Sequence, residues 1–153
     1  MTTFFTPGTP RPQGSKRYVG NGRSVEASKY LAPWRKSLIA SARQAHKGEP
    51  WDGPVKVEVV FIMPKPKRPT YEQPLGAPDT DKLQRAVGDA LEQAGVVVND
   101  SRIMLWVPVK RYPVEGEVPG AWVRVSRAVP EDWAWSLGWG AKVRRILGRV
   151  VGR

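Results

Sequence analysis

Leu83, Ala86, Val87, Ala90, Leu91 and Ala94 recur at i, i+3, i+4, i+7, i+8 and i+11, the spacing of a single helical face, and Gly95 follows where a helix would stop. The pattern predicts a helix from about 81 to 94, started by Asp79, Thr80 or Asp81. Residues 55–63 alternate polar and apolar at first and then run continuously apolar, as a strand entering a core does. A short strand is expected over 3–6, and a second helix over 32–45, with Pro33 in its first turn and Trp34, Leu38, Ala42 and Ala45 on one face. After the strong helix, 96–98 reads as a short strand, 99–101 as a turn, and 103–109 and 118–129 as strands joined by a hairpin-length link. Prolines and glycines exclude regular structure from 7–17 and from 64–78. Strands and helices mixed in this order imply an α+β domain, a mixed β-sheet packed with helices.

Beyond Pro130 the pattern changes. Trp133, Trp135 and Trp139 precede Val143, Ile146, Leu147, Val150 and Val151 at helical spacing, with Lys142, Arg144, Arg145 and Arg149 between them. The division expected is a main domain over 1–129 and a Trp-rich, basic, amphipathic helical extension over 130–153. Such a helix packs on its own domain or a partner, lies along nucleic acid, or touches an anionic membrane surface. The chain's 153 residues suffice for one domain with a core. No apolar run of about eighteen residues and no leader-like N-terminus occurs, so the reading is a cytoplasmic protein without a membrane partner.

Charge adds direction. The 25 Lys and Arg outweigh 14 Asp and Glu, a net of +11, which points to a polyanionic partner such as nucleic acid. Residues 79–100 run the other way, with five acids against two bases, a net of −3 that leaves +14 on the rest. With no cysteine and one histidine, thiolate chemistry and His-rich metal sites are excluded. His46 falls at a helix end, where capping or surface roles are expected of it. Trp34 and Trp106 read as core.

Asp79, Asp81 and Asp100 are the acids placed to do chemistry. A helix over 81–94 rises roughly 20 Å, and an extended return from Gly95 to Asp100 covers nearly that distance, which brings Asp100 back beside Asp79. An extended lead-in would point Asp79 and Asp81 to one side. Three converging carboxylates in a basic protein suit Mg²⁺, with Mn²⁺ as a substitute, and an ion so held is the usual carboxylate route to phosphodiester hydrolysis. Arg85, one turn after Asp81, is placed to meet a phosphate oxygen. The plainer alternative makes Asp79 and Asp81 helix caps and Asp100 a turn residue. The candidate phosphate contacts are Lys16, Arg17, Lys65, Lys67, Arg68, Lys82 and Lys110.

These residues carry a resemblance. Pro78, Asp79, Thr80 and Asp81, then Leu83, Ala86, Asp89, Ala90 and Leu91, and Asn99 and Asp100 before Ile103 and Lys110, resemble the RusA-type Holliday junction resolvases, crossover-junction endodeoxyribonucleases of bacteria and their phages. The stretch from Pro10 to Arg17 is similar to that family's basic N-terminal loop, and the strand from Val57 running into a Pro/Lys/Arg stretch ending at Pro69 matches its next segment; the likeness spans about residues 5–128. It implies a RusA-like fold and a homodimer that nicks opposed strands of a four-way junction in recombination and repair. It also implies Asp79, Asp81 and Asp100 as Mg²⁺-binding catalytic acids. Arg85 stands where the family usually has a lysine, Lys82 where it has asparagine, and Asn99 where aspartate is frequent. The exchange at Arg85 keeps charge but not shape, so phosphate contact is expected and leaving-group protonation is not. A non-catalytic basic DNA-binding protein is the competing expectation.

Overall fold

The computed structural model describes residues 1–14, 16–18, 24–26 and 29–134, with side chains given outside 15–28 and up to residue 132. The chain runs β1 (Thr2–Pro7), β2 (Lys16–Tyr18), β3 (Ser24–Glu26), α1 (Leu31–Ala45), β4 (Val55–Ile62), α2 (Thr80–Gln93), a 3₁₀ turn (Asp100–Arg102), β5 (Ile103–Arg111), β6 (Gly120–Arg127) and the one-turn α3 (Glu131–Ala134). Strands β1, β6, β4 and β5 form one sheet in that order; β4 and β5 are parallel and the other pairs antiparallel. A separate antiparallel pair joins β2 to β3. This is an α+β arrangement.

The β4–α2–β5 segment is a crossover between adjacent parallel strands, which requires a helix lying against the sheet. Alternation along β4 supplies the surface for it, since Val55, Val57, Val59 and Phe61 are all buried on one face. They pack with Leu31, Trp34, Leu38 and Ala42 of α1 and with Leu83, Ala86, Val87 and Leu91 of α2. Both long helices therefore cover one face of the sheet. None of the described helices is long and apolar enough to cross a membrane.

Several expectations shift. Strands β5 and β6 do not form a hairpin, because β4 lies between them and takes a hydrogen-bonded neighbour on each side. The link from β5 to β6 is instead a loop closed by Arg111, whose guanidinium donates to both carboxylate oxygens of Glu117. Residues 96–98 make a single bridge, Val97 to Trp51, in place of a strand. The basic N-terminal loop, read as irregular over 7–17, ends in the first two residues of β2, which pairs with β3. His46 does cap α1, its backbone N–H reaching the Ala42 carbonyl, while its ring bonds to Thr2 Oγ1 and the Glu49 carbonyl, a structural role. Trp34 is core, and Trp106 is only partly buried. Of the extension over 130–153, residues beyond Ala134 lie outside the described residues.

The loop clamp makes a pH prediction. Arg111 chiefly, with the Val114 backbone N–H, holds the Glu117 carboxyl down at about 2 against an ordinary 4.5. A depressed carboxyl stabilises the fold above its unfolded value and loses that contribution as pH falls toward its folded value. The loop should therefore loosen between about pH 4.5 and 2. A carboxyl-carbon NMR titration checks this; a Glu117 midpoint near 4.5 would show that the clamp does not exist in solution.

Candidate active site

Helix α2 starts at Thr80, one residue before the expected 81, and this decides where the acids point. Asp79 is the N-cap residue, with extended backbone, while Asp81 already lies in the first turn. At about 100° per residue the two carboxylates diverge around the helix instead of sharing the side an extended segment would give them. Asp79 makes no side-chain capping bond; its Oδ2 lies 2.7 Å from Lys82 Nζ. The hydrogen bond from Lys82, then its charge, with a smaller contribution from Lys110, holds the Asp79 carboxyl below its ordinary range. It faces a hollow of about 420 Å³ shared with Arg11, Pro12, Met63 and Pro78.

Asp81 belongs to a different hollow. With Gln84, Arg85 and Gly88 it forms one face of α2 at i, i+3, i+4 and i+7, and Asp100, Ile103 and Trp106 close the other side around about 240 Å³. Asp100 does return to the helix, but at the level of Gly88, roughly two turns beyond Asp81, because residues 95–99 turn and bridge once without running fully extended. A Cβ on Gly88 would lie 3.8 Å from the Asp100 Cβ and 3.6 Å from the Trp106 ring. The chain therefore gathers two of the three acids, Asp81 and Asp100, in one hollow and leaves Asp79 in the next.

Electrostatics separate the acids further. Asp81 is 3.5 Å from Arg85, an exposed helical pair of small energetic weight. The turn chemistry around Asp100 is done by others: Asn99 Oδ1 accepts from the Ser101 N–H, and Glu92 accepts from the Asp100 N–H. Among the described residues the Asp100 carboxylate has no hydrogen-bond or ion-pair partner, and it is exposed. Capping and turn roles thus do not use the carboxylates of Asp79 or Asp100.

Among the described residues no three Asp, Glu or His side chains stand close enough together to hold a metal ion. The two carboxylates and the Gln84 amide around one hollow are nonetheless hard oxygen donors. Mg²⁺ commonly keeps much of its water and takes one or two carboxylates with substrate phosphate, so this donor set fits it.

The basic candidates sort by what already occupies them. Lys110 donates to the Gly76 and Pro78 carbonyls at 2.7 and 3.0 Å, so it tethers the loop that delivers Asp79 and is not available as a phosphate contact in this arrangement. Lys82 is paired with Asp79. Lys65, Lys67 and Arg68 are exposed on the proline-rich connection, without an ion-pair partner among the described residues. Lys16 and Arg17 lie on β2, and their side chains are outside the described residues.

Two features were missed in the sequence. Gln13 joins the N-terminal loop to both helices, its amide donating to Asp89 and its oxygen accepting from Arg35, while its backbone N–H reaches the Lys82 carbonyl. Next to it Gly14, at φ +112°, lies so close to Arg85 that a Cβ would stand 2.8 Å from the guanidinium. Gln84 is the second omission; its place three residues after Asp81 on the Arg85 face was the available signal. Gly88→Ala should raise stability by about 0.5–1 kcal/mol, since the site is mid-helix and the added methyl meets only ordinary contacts. Urea denaturation reads the change, and a loss of stability would mean the hollow cannot take a methyl.

Residues 7–126 match the family model for endodeoxyribonuclease RusA. The chain belongs to the RusA family. A curated relative, the crossover junction endodeoxyribonuclease RusA of Aquifex aeolicus (strain VF5), is 24% identical over 102 residues, 67% of this chain and 74% of that protein. The RusA match contains β4, β5, all of β6 but Arg127, both long helices and both hollows; of β1 it takes only Pro7, and it stops before α3.

Proposed function

We propose that this protein is a Mg²⁺-dependent, structure-selective endonuclease that resolves four-way DNA junctions as a homodimer, one nick per subunit. The observation that carries the reading is the Asp100 carboxylate, unpartnered among the described residues, in the hollow it shares with Asp81 and Arg85. Family membership supports junction-resolving nuclease chemistry. Asp81 and Asp100 would hold the ion, with Mn²⁺ able to replace it, and Asp79 would join them once Lys82 lets go of it. Bound there, the ion would polarise the scissile phosphate and favour hydroxide at neutral pH.

The chain's own groups do the rest. Arg85 pairs with a phosphate oxygen as it leaves Asp81, exchanging one exposed ion pair for another. Asp100 accepts a hydrogen bond from the attacking water and takes up its proton. Lys65, Lys67 and Arg68 meet backbone phosphates, and Lys82 can do so after releasing Asp79. Selectivity for branched DNA rests on shape, since phosphate contacts carry no base information. Each described chain carries one such hollow, so two opposed nicks need two copies.

A labelled four-way junction incubated with the protein tests this. Symmetric nicking with Mg²⁺ or Mn²⁺ and none with EDTA is expected, with a linear duplex left intact. Tight binding without cleavage at any metal concentration would leave a non-catalytic DNA-binding protein as the answer.

A further inference from the structure

The face of the sheet turned away from the helices is open, and its centre is apolar. Cross-strand register places Phe5, Trp122, Val60 and Val109 in one continuous row over all four strands. The Phe5 and Trp122 rings pack at 5.0 Å between centroids, tilted by 40°, and Phe5 also lies over Gly120, where a Cβ would come within 2.5 Å of its ring. The next row holds Val107 beside the Glu58–Arg124 ion pair. Trp122 is 46% exposed and Val109 is 46% exposed. An outward sheet face is normally polar, so a tryptophan-centred patch rimmed by an ion pair marks a contact surface.

We propose that this open face is the docking surface for the chain's own C-terminal segment, residues 135–153. Three observations choose that occupant. The chain leaves the described structure on this face: Asp132 of α3 is held at 2.8 Å by Lys56, which alternation in β4 places with Glu58 and Val60. The segment is long enough, since its 19 residues span roughly 28 Å as a helix, whereas four strands are about 14 Å across. Its composition supplies what the patch lacks: Trp135, Trp139, Ile146 and Leu147 need apolar cover, and its five basic residues come with no acid.

The absence of cysteine makes the test clean. Val107→Cys in the full chain introduces one thiol on the patch, and its alkylation rate is compared with that of the same variant carrying Trp135→Ser, Trp139→Ser, Ile146→Ser and Leu147→Ser. The expected result is labelling roughly tenfold slower with the native segment, unchanged over about a hundredfold dilution. Equal rates would overturn the proposal, and so would protection lost on dilution, which would assign the face to a second copy. A second measurement does not depend on the substituted segment folding well. Val107→Cys with Ile146→Cys, joined by a short bis-maleimide in a mixture of light and ¹⁵N-labelled protein, should give products of uniform isotope. Mixed-isotope products, or no product, would overturn it.

Discussion

Asp100→Asn should lower junction cleavage by at least about 100-fold while leaving the fold and the affinity for the junction intact. Groups one shell outside a metal already cost about 10–100-fold when removed, so the coordinating and proton-accepting role proposed for this carboxylate sets the lower bound there. The fold should not notice. The Asp100 side chain is exposed and has no partner among the described residues, and the bonds that shape its turn come from Asn99 and Glu92. Removing one negative charge beside the DNA path leaves affinity equal or raises it. Single-turnover cleavage, junction binding in EDTA and thermal melting separate the three quantities. Near-native cleavage by Asp100→Asn would remove this carboxylate from the chemistry, and a lower melting temperature would make it a structural residue.

Phe61→Ala should destabilise the protein by about 3–5 kcal/mol, the usual loss for emptying a fully buried phenylalanine site. Typical domains have about 5–15 kcal/mol in total, so a large share of the molecules should unfold at modest urea concentration. The position is sensitive because β4 is paired on both sides, with Phe61 opposite Lys110 of β5 and Ala121 of β6. A local shift there disturbs the strand whose Lys110 holds the Gly76 and Pro78 carbonyls just before Asp79. A lower urea midpoint with an unchanged slope checks the prediction. A change below about 1 kcal/mol would mean that the cavity collapses around the missing ring.

Elements written in a single period were legible from the sequence. The apolar stripe from Leu83 to Ala94 and the run from Val55 fixed α2 and β4 to within about a residue, because each pattern is the direct imprint of one buried face. Pairing was not legible. Nothing in residues 103–129 says that β4 separates β5 from β6, since strand order is decided by which edges remain open after the crossover closes. The arrangement of the acids differs at a finer scale. Starting α2 at Thr80 instead of 81 turns Asp79 away from Asp81, a difference well inside the uncertainty of any helix boundary. Lys110 looked like a phosphate contact because charge is visible in a sequence and the carbonyls that claim it are not. Trp106 looked like core, and its position after the β5 bulge instead sets one edge of its ring against the hollow.

Every wall of the hollow holding Asp81 and Asp100 comes from the stretch between residues 81 and 106. Such a neighbourhood closes over a short loop at little entropic expense, so it can form early while the distant β1–β6 pairing is still incomplete. Changes in length within the proline-rich connection or the β5–β6 loop can alter the surroundings of this hollow without redrawing its lining. Inheritance of that lining as one contiguous cassette is therefore compatible with wide divergence in the more distant parts of the chain.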